Sequence, residues 1–546
     1  MASPNILLIM TDEERYPPPY ETDGVRRFRR EWLSARESLR EGGLEFHRHY
    51  AGSTACLPSR TTLFTGQYPS LHGGSNTDGM AKRANDPSMC WLDPNSVPTM
   101  GDWFRAGGYE THYRGKWHIS HADLLIPGTH ESLMASNAEG RPIPGAVAAY
   151  RGADRLDPYG FSGWIGREPH GAAKADCGTV RDGVFAEQVV GLFAELAGAR
   201  REGPWFTVAS FVNPHDIVFN GWAWENILGY PTPGDDSLPD IPEPPSQTDS
   251  FAGRPPCHEA FVSAWPAMLY EQSADEAYRR LYYHLHALVD GAIGRILEAL
   301  ERSGMADDTV VVFTSDHGDL LGAHGGLMQK WFNAYDEAVR VPLVVKGPGV
   351  VPSAAGVQIP TSHVDLLPTL LGLAGIDVER AAATVAVEHD ETQPLPGRDL
   401  SAVLRGAAVP EAAPVYFMTE DDVSQGLTMQ NRFTGEGLEP VPAPNHIESV
   451  IATLPTGPGR TGELWKLNHY YERLDEFDAA HGLPVSPFAP PAAEPRWELH
   501  NLSADPEERA NRADDVPGVM RQLRGILDTE REAKRRVPQL RNPSFG

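Results

Sequence analysis

The chain has 546 residues, 41% hydrophobic and 22% charged, the balance of a globular protein with room for one large or two moderate cores. Its 74 acidic side chains outnumber 47 basic ones, for a formal net charge of −27. That excess argues against nucleic acid or an anionic membrane surface as partner, and against a long polyanionic substrate. Any anionic group bound here must meet a local cluster of cations.

Asn5 to Met10 is a continuous apolar run and reads as a buried strand. Tyr109 to Arg114, Trp205 to Phe211, Thr309 to Thr314 and Val341 to Val345 are further strand candidates. Helical patterns lie between them, at Val180 to Ala197, Ala277 to Arg302 and Val364 to Ala374. In the second of these, Leu285, Leu288, Ile293, Ile296, Leu297 and Leu300 form an apolar face. Strands alternating with helices predict an α/β fold: a large mixed, mostly parallel sheet sandwiched by helices over residues 1–405. Pro-rich stretches at Tyr230 to Ser246 and Pro484 to Pro495 read as loops. Beyond residue 405 the pattern changes. Short strands at Val415 to Met418, Leu464 to Asn468 and Trp497 to Leu499, then an amphipathic helix carrying Val519, Leu523, Ile526 and Leu527, predict a smaller C-terminal α+β subdomain over 406–546.

Ligands of open α/β sheets bind beyond the carboxyl ends of the strands. Asp12 and Glu13, His215, and Asp316 and His317 all follow predicted strands, so they fall at one edge. Asp12, Glu13, Asp316 and His317 offer three carboxylates and one imidazole, a donor set that suits a hard divalent cation. A lone Asp-Glu after a strand is most often a solvated turn; the run Thr-Ser-Asp-His-Gly-Asp over 314–319 speaks against that reading here. Lys116 and His118 stand two apart after a strand, so an extended segment would aim both at one anionic group. Arg60 and Lys330 complete the cations. Each Lys taken alone is more often a solvated surface residue. Cys56 begins a segment in which Pro58 suits a helix's first turn, placing residue 56 near the positive end of a helix dipole.

Cys56-Leu57-Pro58-Ser59-Arg60, Gly115-Lys116-Trp117-His118, Asn213-Pro214-His215 and Ser315-Asp316-His317-Gly318 occur in this order. Val364-Asp365-Leu366-Leu367-Pro368-Thr369, Gly397-Arg398-Asp399-Leu400 and Trp497-Glu498-Leu499-His500-Asn501-Leu502 follow. The set resembles the type I, formylglycine-dependent sulfatases of the alkaline phosphatase superfamily, over nearly the whole chain. The resemblance implies that Cys56 is oxidised by a formylglycine-generating enzyme and hydrated to a geminal diol. It implies a divalent metal on Asp12, Glu13, Asp316 and His317, calcium first, with manganese or magnesium as alternatives. It further implies that Arg60 steadies the diol and that Lys116, His215 and Lys330 contact the sulfate. His215 or Lys330 protonates the leaving alcohol, His118 is the base that lets sulfate depart, and Asn76 is a further polar site residue. Two positions depart from the common pattern: Glu13 where many relatives have Asp or Gln, and His317 where many have Asn.

The expected substrate is a small alkyl, aryl or monosaccharide sulfate ester. Phosphonate monoester or phosphodiester hydrolysis is the alternative, and relatives with that activity tend to lack the counterparts of Lys116 and His118. A non-catalytic protein with this fold is a third reading. Trp117, Trp222, Trp224 and Trp331 divide between core and pocket. The four cysteines, Cys56, Cys90, Cys177 and Cys257, form no Cys-x-x-Cys pair, and a chain of this size needs no disulfide. With no signal-peptide core and no apolar stretch of spanning length, a cytoplasmic protein without a membrane partner is the expectation. Oligomeric state stays open, a homo-oligomer included.

Overall fold

The computed structural model describes residues 3–539 apart from 80, 170, 172, 200–202, 232, 234–237, 432, 456–461, 475–479 and 482–492. The expected Pro484 to Pro495 loop lies almost wholly outside the described residues. In chain order the first ten strands are β1 (Asn5–Asp12), β2 (Leu44–Phe46), β3 (His49–Tyr50), β4 (Glu110–Gly115), β5 (Trp205–Pro214), β6 (Thr309–Ser315), β7 (Arg340–Val341), β8 (Leu343–Lys346), β9 (Ser353–Val357) and β10 (Thr361–Ser362). The main sheet has seven strands in the order β4-β5-β1-β6-β8-β2-β9. Its four strands β4, β5, β1 and β6 run parallel, while β8 lies antiparallel to both β6 and β2. The α/β class and the mixed, mostly parallel sheet are therefore as the sequence predicts.

Every residue of β1 is buried because both faces of the sheet are covered. Side chains alternate across it: Ile6, Leu8 and Met10 join one core with Leu63, Phe64 and Leu366, while Leu7 and Ile9 join another with Phe193, Val289 and Ile293. The second layer comes from the helices Gly178–Gly198 and Glu276–Arg302. Asp275 caps the latter, accepting from the Tyr278 N–H. Leu288 departs from the predicted apolar face and is 39% exposed. The helix His363–Ala374 opens with a Ser362/Asp365 capping box and ends at Gly375, φ 69°.

The predicted strand Val341 to Val345 is two strands. Pro342 has no N–H to give a ladder, and the chain changes sheet there: β7 pairs with β3, and β8 with β6 and β2. The C-terminal segment forms a separate antiparallel sheet, β11 (Val415–Thr419), β12 (His446–Leu454), β13 (Glu463–Tyr471) and β14 (Arg496–Asn501), in sequence order. Leu523 and Leu527 of the helix Pro517–Lys534 pack on one face with Tyr416, Val450, Leu467 and Leu499. From the other face Phe417, Ile447 and Ile451 share a core with Phe261 and Tyr278 of the first segment. β12 carries no strand signal in the sequence, because it is buried on both faces and so lacks a clean polar alternation.

Candidate active site

The four parallel strands deliver the predicted residues to one edge. β1 ends at Asp12, β4 at Gly115 before Lys116, β5 at Pro214 before His215, and β6 at Ser315 before Asp316 and His317. Their ends are in register: Asp12 lies opposite Pro214, and Thr11 opposite Ser315. At Gly115, φ 109°, an added Cβ would sit 1.8 Å from the Ser210 carbonyl oxygen, so only glycine fits. His118 has φ 51°, so Lys116 and His118 reach one pocket through a turned backbone rather than through an extended segment.

Cys56 is the first residue of the helix Cys56–Thr65, in which every residue is buried. Its Sγ lies 3.1 Å from His317 Nε2 and 3.6 Å from Asp12 Oδ1. Single donor atoms of Asp12, Cys56, Asp316 and His317 all lie within 4.8 Å of one another, a grouping that could hold a metal ion. Arg60, one turn further along, bridges the two acids with Nη1 at 3.0 Å from both Asp12 Oδ2 and Asp316 Oδ2. The other guanidinium atoms hold the Trp117 and Lys116 carbonyls at 3.0 and 2.5 Å, and Ser210 Oγ. Lys116 Nζ stands 2.6 Å from Asp12 Oδ2.

Glu13 departs from the single four-ligand set. Its backbone, at φ 72°, turns so that its N–H donates to Asp316 Oδ1 at 3.1 Å, while its longer side chain reaches Lys330 Nζ at 2.9 Å. It groups with Asp12 and His215 instead, at 4.0 Å from His215 Nε2. Its Oε1 is buried without a hydrogen-bond partner. A buried orphan oxygen on a residue grouped with Asp12 and His215 is the kind of atom a cation satisfies, so the residues fit an oxygen-preferring divalent ion.

A tight pocket joins these groups: Cys56, Lys116, His118, His215 and Lys330 line it together with Gln329 and Trp331. Asn76 is the one predicted residue that the structure moves away. Its amide donates to the Ser88 carbonyl at 2.9 Å, and the next residues, Thr77, Asp78 and Gly79, line the pocket in its place. Of the tryptophans, Trp117 and Trp224 are buried, Trp222 is 53% exposed, and Trp331 forms a wall.

Burial works to raise Asp12, but Lys116, His215, Arg60 and His317 outweigh it and hold the carboxyl well below its usual range. Asp316 goes the other way, raised by burial and by the Asp12 charge. Burial also raises Glu13, against the pull of Lys330. The Cys56 thiol is pushed up to about 12 by burial and the Asp12 charge, so as a cysteine it is a poor nucleophile. His215 is held low by burial and the Lys116 charge. Burial opposes the charge on Lys330, but Cys56 and Glu13 prevail and keep it an ammonium.

Several residues were not legible beforehand. Asp78 accepts from His118 Nε2 at 2.7 Å, and Glu168 accepts the N–H groups of Trp117 and His118 at 3.1 and 3.0 Å. Asp421, far along the chain, binds the Ala55 and Thr77 N–H groups at 3.2 and 2.9 Å and the Trp331 indole at 3.1 Å. No local motif marks any of the three.

The sulfatase family model matches residues 4–376. The chain belongs to the sulfatase family. It is 29% identical over 380 residues to the uncharacterised sulfatase YidJ of Escherichia coli strain K12, covering 69% of each chain. It is 29% identical over 398 residues to the choline-sulfatase of Rhizobium meliloti strain 1021, covering 69% of this chain and 68% of that one. Its fold matches the solved phosphonate monoester hydrolase of Agrobacterium radiobacter at a TM-score of 0.59 and 22% identity, covering 97% and 95%. The protein is thus a sulfuric ester hydrolase of the alkaline phosphatase superfamily. Among the described residues, no helix of this sulfatase is long and apolar enough to cross a membrane.

Proposed function

We propose that this sulfatase hydrolyses a small sulfate monoester with an alkyl, aryl or single-sugar body, using residue 56 as nucleophile after Cys56 is converted to formylglycine. The observation that carries this reading is the position of Cys56, at a helix start, 3.6 Å from Asp12 and 3.1 Å from His317, in a pocket shared with Lys116, His215 and Lys330. The buried thiol, pushed up to about 12, is ill suited to react as a thiolate, which supports a modified residue. Hydrated formylglycine would supply two hydroxyls on one carbon, one to attack sulfur and one whose deprotonation expels sulfate. Asp12, Asp316 and His317 would hold one divalent cation, with Glu13 beside them, and calcium suits this oxygen-rich set. The cation would lower the pKa of a bound hydroxyl.

The remaining residues divide the work. Arg60 spans Asp12 and Asp316 and fixes both carboxylates next to residue 56. Lys116 and Lys330 place ammonium groups where charge spreads over the sulfuryl oxygens. Lys330, kept an ammonium, is the proton donor available to the leaving oxygen, His215, held neutral, would offer it a hydrogen bond, and His118, held by Asp78, is the base for the second step. Phe219, Leu269 and Phe433 add apolar surface to the pocket and favour a small apolar or aromatic body.

Two measurements test this. A mass spectrum of the peptide carrying residue 56, from native-source protein, should reveal an aldehyde; unmodified cysteine alone removes the mechanism. The kcat/KM for 4-nitrophenyl sulfate should exceed that for 4-nitrophenyl phenylphosphonate, and the reverse order would make phosphonate the substrate class.

A further inference from the structure

A cavity of about 570 Å³ opens beside β4, between the helices Pro144–Ala153 and Gly178–Gly198. It shares no lining residue with the reactive pocket. Two buried guanidinium groups line it, Arg114 at 7% exposed and Arg181 at 1%, while Arg151 and Arg295 stand nearer solvent. Neither buried arginine forms an ion pair among the described residues.

Among the described residues Arg114 donates through Nη1 alone, to the Tyr113 and Ser162 carbonyls at 2.8 and 3.1 Å. Arg181 donates to Ser136 Oγ at 3.1 Å and to the Arg167 carbonyl at 2.6 Å, and its buried Nε has no acceptor. Asp176, the carboxylate that acts most strongly on Arg181, is engaged by Arg167 at 2.7 and 3.0 Å. Burial and the neighbouring Arg151 bring Arg114 down to about 10, the mark of a buried cation short of negative charge. Buried charges are ordinarily paired, so two unpaired arginines lining one cavity call for a missing anion. The walls between them are apolar, with Val147, Ile165, Val184 and Leu192. Glu139, Glu187 and Glu195 are exposed lining residues, Glu187 standing 3.5 Å from Arg295, and they disfavour a multiply charged ligand.

We propose that this cavity is a second binding site, separate from the reactive pocket, for a small organic monoanion: a carboxylate or sulfo head on Arg114 and Arg181, and an apolar body against the valine and leucine walls. Calorimetric titration of the whole protein with hexanoate, with hexanesulfonate and with inorganic sulfate tests this, the three probes separating head from body. Gly191 supplies a control that spares the arginines. It lines the cavity from an exposed helix position, and a Cβ there meets nothing within 4 Å, so Gly191→Phe fills space without disturbing the fold.

At least one of the two organic anions should bind the native protein and the Lys330→Ala variant alike, and bind Arg114→Gln and Gly191→Phe at least about tenfold more weakly. The proposal is overturned if neither organic anion shows saturable binding to the native protein. It is equally overturned if Lys330→Ala weakens binding while Gly191→Phe leaves it unchanged. Inorganic sulfate binding as tightly as the organic anions would remove the apolar body from the assignment.

Discussion

At the strand-end site, Arg60 is held by Asp12 and Asp316, Lys116 by Asp12, and Lys330 by Glu13; in the cavity beside β4, Arg114 and Arg181 have only carbonyl and hydroxyl oxygens as partners among the described residues. Both sets are buried, so burial by itself does not decide how a charge is used. A carboxylate cancels a cation's field at close range, and the pair is secure only while both members stay. A carbonyl carries only a partial charge and leaves much of the field available to an outside anion. The reactive site therefore depends on mutual neutralisation, and the cavity retains unspent attraction.

The contrast can be broken first at its strongest pair. Arg60→Met leaves buried Asp316 without its arginine and Asp12 with Lys116 alone, and should lower the free energy of unfolding by about 3–5 kcal/mol, read by urea denaturation. An unchanged midpoint would mean the two acids do not depend on Arg60. Next, Lys330→Ala should reduce kcat/KM for 4-nitrophenyl sulfate by roughly 10²–10³-fold, and a change of less than about threefold would exclude Lys330 from the reaction.

A third pair adds a pH axis. Glu448 is buried and accepts from Arg531 Nε at 2.9 Å and from His469 at 2.7 Å. Burial raises its carboxyl, but Arg531 and His469 outweigh burial and hold it at about 2 against an ordinary 4.5. The folded value is the lower one, so the contribution is complete above pH 4.5 and is lost as pH falls towards about 2. About 3 kcal/mol of stability should disappear across that window, and Glu448→Gln should lack this dependence when urea midpoints are compared. The smallest effect belongs to the cavity. Arg114→Met leaves no carboxylate stranded and should change stability by less than about 1 kcal/mol; a loss as large as that of Arg60→Met would erase the distinction.

Much of this arrangement was legible in the sequence because its cause is local. Runs such as Asn5 to Met10 and Thr309 to Thr314 can only be buried strands, and the polar residues that follow them must share an edge. The reactive constellation was readable for the same reason, since each member sits within four residues of a strand end or a helix start, Lys330 excepted. What escaped depends on direction or distance. Asn76 and Thr77 are neighbours, and only the fold decides which one faces the pocket. Glu13 was grouped with all the other acids because its reach to Lys330 depends on a turned backbone at φ 72°. The Arg114 and Arg181 cavity left no trace, because its two arginines come from a strand and a helix whose packing no motif records.

Asp421 belongs to this last class, and it bears on when the site comes into being. The Ala55 N–H that it binds is 366 positions earlier in the chain. Trp331, which it also binds, lies 90 positions earlier. A ribosome therefore releases the segment around residue 56 well before it adds the carboxylate that fastens that segment to the Thr77 loop and to Trp331. Only in the last part of that interval, after residue 330 and before residue 421, does the chain hold every proposed reacting residue while lacking this fastening, and Cys56, 1% exposed in the finished fold, has not yet been closed in by it. The completed protein closes a window that its own synthesis had left open.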